Sequence, residues 1–163
     1  MFAVSRLLGI VLVLASLALA QRAPKYSGPR PEKPDAIYLL HADNLVEVDA
    51  ATANEEQRKD EMAYVVNGAS AQARTPLAEP MFLLESKTIP AEKLELYRLD
   101  VKNGRREIVF SQKRRKDGPR ALHLSVSRLD GSLYRIEVNV GLENGEYVLT
   151  PSGSNQVFCF QVY

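Results

Sequence analysis

The sequence predicts an all-β fold: a single antiparallel β-sandwich of two sheets. Three observations carry this. Asn103-Gly104 and Asp130-Gly131 each sit between alternating apolar and polar runs, the pattern of a β-hairpin. Strand-like segments recur at the 8–12-residue spacing of sandwiches and barrels, each bounded by turn residues. No long helical period and no internal repeat follows the N-terminal apolar run.

That run, MFAVSRLLGIVLVLASLALAQ, has one positive charge, Arg6, before an apolar core, and ends in the small-x-small pattern Ala18-Leu19-Ala20. This is the layout of a secretory signal peptide over 1–20, with cleavage expected after Ala20 and a secreted or periplasmic destination. The core is short for a bilayer span, so no transmembrane segment is expected in the mature chain. Cleavage leaves 143 residues (163 − 20) and removes only Arg6, so 20 Lys+Arg balance 20 Asp+Glu. A chain without net positive charge is a poor general nucleic-acid binder, and no nucleic-acid partner is expected. The one cysteine, Cys159, has no internal disulfide partner.

Residues 21–34, QRAPKYSGPRPEKP, hold four prolines and almost nothing apolar, and predict a disordered, extended and exposed linker. The folded domain is expected over 35–163. AIYLLHADNLVEVD (36–49) reads as two short strands, or one strand with a bend, around His41–Asn44. ATANEEQRKDE (51–61) is dense in charge and reads as a short exposed helix or a loop. Met62–Val66 is a strand ending in an Asn67-Gly68 turn, 69–80 an edge or loop, 81–86 a strand, and 88–93 a single turn around Pro90.

A two-residue loop at Asn103-Gly104 pairs Lys102 with Arg105. Tyr97 then meets Phe110 and Leu99 meets Ile108 on one face, while Asp100 falls opposite Glu107 on the wetter one. At Asp130-Gly131 a two-residue loop would set apolar residues against charges. A three-residue loop, Leu129-Asp130-Gly131, instead pairs Val126 with Tyr134, Leu124 with Ile136 and Leu122 with Val138. The last two strands lie in 141–151 and 154–163, with Phe158, Phe160 and Val162 on one face and Val157 and Cys159 on the other.

Catalytic signatures are missing from this pattern. His41 and His123 lack the partners and spacing of a metal site, and no metal or other cofactor is expected. Cys159 has no neighbouring base to lower its pKa. Serine-hydrolase and phosphate-loop motifs are absent. The cluster Glu55, Glu56, Asp60 and Glu61 is interleaved with Arg58 and Lys59, as in a solvated charged segment. The one marked charge feature is Lys113, Arg114, Arg115 and Lys116, a basic loop suited either to solubility or to an anionic surface or partner protein.

RTPLAEPMFLLESKTIPAEKLELYRLDVKNGRREIVF and LENGEYVLTPSGSNQVFCFQVY resemble segments of small secreted bacterial proteins of unknown function, mainly from soil-dwelling lineages. The resemblance spans most of the mature chain. It implies an exported stand-alone domain and brings no catalytic residues. The GEYVL strand and the final strand also resemble the end of immunoglobulin-like modules. The expectation is a non-enzymatic binding or structural module of the cell envelope or exterior, with another envelope protein or an anionic surface as its partner. The alternative is an unfamiliar hydrolase or carbohydrate-active enzyme using paired carboxylates.

Overall fold

The computed structural model describes residues 25–111, 113 and 118–163. The expected signal peptide therefore lies outside the described residues. The described part of the Pro-rich stretch, 25–34, has no helix or strand, and Arg30 pairs from it with Asp130 and Glu85.

The strands are β1 (Ile37–His41), β2 (Asn44–Glu47), β3 (Asp49–Thr52), β4 (Asn54–Arg58), β5 (Glu61–Asn67), β6 (Arg74–Thr75) and β7 (Met81–Glu85). After a 3-10 turn at Ala91–Lys93 come β8 (Leu94–Lys102), β9 (Arg105–Ser111), β10 (Leu124–Asp130), β11 (Leu133–Val138), β12 (Gly145–Pro151) and β13 (Gln156–Val162). They form two antiparallel sheets. The five-stranded sheet runs β10-β11-β7-β1-β2. The eight-stranded sheet runs β3-β13-β12-β8-β9-β5-β4, with β6 added in parallel beside β13.

Local chemistry accounts for the first hairpin. Asn103 and Gly104 have φ of 51° and 72°, the two left-handed residues of a type I′ turn, and Lys102 pairs with Arg105. The second hairpin corrects the expected register. Asp130 pairs with Leu133 across a Gly131-Ser132 turn, and the extra residue is absorbed as a bulge between Arg128 and Asp130. Val126 therefore lies opposite Ile136 and Leu124 opposite Val138, two residues from the expected pairing. A two-residue slip keeps every side chain on its face, so the hydrophobic pattern could not separate the registers. Leu122 leaves the hairpin and bridges to Leu96.

The second correction is 51–61, which is neither helix nor loop. It supplies the end of β3, all of β4 and the first residue of β5. The two ends of the eight-stranded path, β3 and β4, are consecutive in the chain and joined by Ala53 alone. This sheet is thus a curled half-barrel. Glu56 and Arg58, two apart in a strand, share its outer face and bond each other at 2.5 Å. Arg58 also reaches Glu107 at 2.8 Å, and Arg105 reaches Glu56 at 2.8 Å. Glu56 and Arg58, read from the sequence as part of an exposed helix or loop, are held by Arg105 and Glu107, some fifty residues away in sequence.

Asp100 does lie opposite Glu107. The like-charge pairing is relieved by Arg58 and by Lys102, 3.4 Å from Glu107. The hydrogen bond from Arg58 holds the Glu107 carboxyl below its usual range, against its burial.

Curling gives the central strands two buried faces. One core lies where the two sheets meet, with Ile37, Leu39, Phe82, Leu84 and Ile136 on one side and Leu96, Tyr147, Leu149, Phe158 and Phe160 on the other. The Phe82 and Phe160 rings are 4.9 Å apart. The second core lines the concave side of the half-barrel with Val66, Leu99, Ile108, Val148, Val157 and Cys159. The alternation expected of β13 holds: Phe158, Phe160 and Val162 enter the first core, Val157 and Cys159 the second.

Candidate functional site: a cavity in the half-barrel

The second core does not fill its space. Backbone pairing between β8 and β9 covers Lys102↔Arg105, Val101↔Arg106 and Asp100↔Glu107 and goes no further. β8 pairs on its other side with β12 through Leu94–Leu99. Where β8 and β9 stop pairing, a cavity of about 350 Å³ opens on the concave face. That lies within the ~300–1,000 Å³ range of small-molecule sites.

Its floor is Val66, Leu99, Ile108 and Val148, and Val157 forms part of its wall. Three aromatic rings complete the wall. Tyr97 lies 5.7 Å from Phe110 at 89°, and Tyr64 lies 5.9 Å from Phe110 at 79°. The sequence register had placed Tyr97 against Phe110, and they meet here through their rings, past the end of the paired ladder.

The rim is polar. Glu55, Glu95, Thr150, Ser154 and Asn155 line it, beside the turn between β12 and β13. Gly153 in that turn has φ +74°, a backbone that suits glycine. The Asn155 side-chain amide donates to Glu55 at 2.9 Å, and the Ala53 N–H donates to the Asn155 carbonyl at 2.8 Å. These two bonds tie the β3–β4 corner to the rim. The Tyr97 hydroxyl donates to Glu95 at 3.0 Å. Burial, and then this carboxylate, push the Tyr97 phenol up to about 12, so it stays a protonated donor.

The other end of the half-barrel is shut. At the next inward positions beyond Ile108 and Val148 lie Arg106 and Glu146, both buried, 3.5 Å apart. Arg106 donates to the carbonyls of Asn67 and Gly68 at 3.0 Å, and Glu146 accepts the Ala71 N–H at 2.9 Å. Asp49 accepts the Gln72 N–H at 2.5 Å. Polar side chains thus bind the 67–73 loop across that end.

Sequence reasoning found neither the cavity nor its residues. Glu55 reads from the sequence as one of a solvated cluster, and it is exposed; Glu95 stands out in no motif. The basic loop is described only at Lys113, which is exposed and pairs with Asp60 at 3.0 Å. Arg114, Arg115 and Lys116 lie outside the described residues. His41 and His123 are exposed and neither lines the cavity. Cys159 is fully buried, and burial raises its thiol to about 11. Among the described residues no group of three or more His, Cys, Asp or Glu is placed to hold a metal ion.

Compared with protein-family models, curated proteins and solved structures, the chain gives no match, and no family is identified.

Proposed function

We propose that this protein is a non-enzymatic binding module that holds a small, largely apolar ligand in the half-barrel cavity. The observation that carries this is the cavity itself: concave, floored by aliphatic side chains, walled by three aromatic rings and edged by a few polar groups. That combination buries an apolar body and orients it at one end. Export to the periplasm or exterior belongs to the same reading. It is supported by the signal-peptide layout of 1–20 and the Pro-rich stretch behind it. Contact of Lys113–Lys116 with an anionic surface or an envelope protein is a separate proposal, supported by the charge run alone.

The test is titration with a neutral environment-sensitive dye, N-phenyl-1-naphthylamine. The wild-type protein should enhance its fluorescence saturably with one site per chain. Ala53→Leu, which adds volume to the cavity wall, should weaken binding at least tenfold. If the variant melts like wild type and binds equally well, the cavity is not the site.

One observation favours a second reading, a hydrolase using paired carboxylates: Glu55 and Glu95 line the same cavity. Turnover of chromogenic glycosides or esters, lost in Glu95→Gln, would establish it over the first.

A further inference from the structure

The charge and ring geometry of this cavity narrow the ligand class. Tyr64 and Tyr97 each stand close to perpendicular to Phe110, at 79° and 89°. Rings so arranged form the sides of a box. Rings at these angles make no extended coplanar platform. A box of aromatic faces attracts a cation through the ring quadrupoles.

The rim adds formal negative charge. Glu55 and Glu95 both line the cavity, and neither is within ion-pair distance of a Lys, Arg or His among the described residues. The contrast with the outer face is direct, where Glu56 and Glu107 are held by Arg58, Arg105 and Lys102. Nor is there a Lys, Arg or His among the described residues that line the cavity. Glu55 has one oxygen engaged by Asn155, and Glu95 has one engaged by Tyr97, so each keeps acceptor capacity. The bond from Tyr97 to Glu95 also makes the phenol ring more electron-rich, which strengthens its attraction for a cation. An anionic head would meet two carboxylates and, among the described residues that line the cavity, no compensating charge.

We infer that the cavity takes a small organic cation: an apolar or aromatic body with an ammonium head seated between the rings and the two carboxylates. This rests on the binding-module reading of the same cavity.

Three probes that share a benzyl body and a tetrahedral head separate the possibilities: benzyltrimethylammonium, its neutral carbon isostere neopentylbenzene, and phenylmethanesulfonate. Binding is read from the ring resonances of Tyr64, Tyr97 and Phe110 in isotope-labelled protein. The cation should bind about tenfold more tightly than the neutral isostere, and the anion most weakly. The double variant Glu55→Gln/Glu95→Gln should bring cation and neutral probe within about threefold, chiefly by weakening the cation. Glu55 is exposed, Glu95 is half-buried, and each bonds through a single oxygen; a melt matching wild type confirms the fold, and if it does not, the three probes on wild type decide alone. A neutral probe that binds as tightly as the cation overturns the inference and leaves the binding-module reading standing. So does a tightest-binding anion. If none of the three perturbs the rings, both fail.

Discussion

Tyr97 and Phe110 meet edge to face, 5.7 Å apart, where β8 and β9 have ceased to pair through their backbones. Side-chain contact takes over from the ladder at this point, and the strands gain room for a cavity. Phe110 also receives Tyr64, so it is the shared member of both ring contacts. Phe110→Ala should therefore cost about 2–3 kcal/mol, less than a fully buried Phe because the ring is half-exposed. Tyr97→Phe, which loses only the hydroxyl bond to Glu95, should cost under about 1 kcal/mol. Denaturant midpoints of the two variants check the order.

Asp35 gives a pH signature. Partial burial opposes its charge, but the backbone N–H groups of Thr88, Lys87 and Ile89 and the Thr88 hydroxyl together hold its carboxyl down to about 2. A depressed carboxyl contributes stability that is complete above its unfolded value near 4 and is lost as pH falls through about 2. Asp35→Asn should lose about 1–2 kcal/mol at pH 7, discounted for partial exposure. Its deficit against wild type should shrink as pH falls from 4 to 2. Thermal melts of both proteins over that window test the sign.

The Arg106–Glu146 pair is buried, with Arg106 Nη1 and Glu146 Oε1 lacking hydrogen-bond partners. Removing one charge strands the other, so Glu146→Leu or Arg106→Met alone should cost about 3–5 kcal/mol. The double variant should lose clearly less than the sum. Additive losses in a double-mutant cycle would mean that the two charges act independently.

Cys159 lies fully buried in the second core with its thiol raised to about 11. At pH 8 it should react with a thiol reagent only as fast as the protein opens, and at full speed in denaturant. Rapid modification of the native protein would show the β13 packing to be wrong. Deleting residues 156–163, which removes β13 and with it the partner of β3, β6 and β12, should abolish cooperative unfolding altogether.

Much of the fold was legible wherever one residue type had one physical use. Asn103-Gly104 announced its turn because few other pairs tolerate two positive φ values. Alternation in β13 was legible because Phe158 and Phe160 are large. β3 and β4 were illegible for the opposite reason. Their inward residues at the corner, Ala51 and Ala53, are small where the sheet bends, and Glu56 and Arg58 look solvated until Glu107 and Arg105 arrive from β9. The Asp130-Gly131 register was set by a bulge that hydrophobic parity does not sense. The cavity is a consequence of curling. Glu55, Tyr64, Glu95, Tyr97 and Phe110 come from four strands, and no local pattern brings them together.

The central claim is that a ligand sits among Tyr64, Tyr97 and Phe110. Isotope-filtered NOE spectra of labelled protein with bound benzyltrimethylammonium test it most directly. Contacts from the probe's methyl and phenyl protons to these three rings, and to Val148 or Val157 behind them, are the predicted result. Contacts confined to exposed apolar residues elsewhere, such as Val46 or Leu77, or no contacts at all, would contradict it.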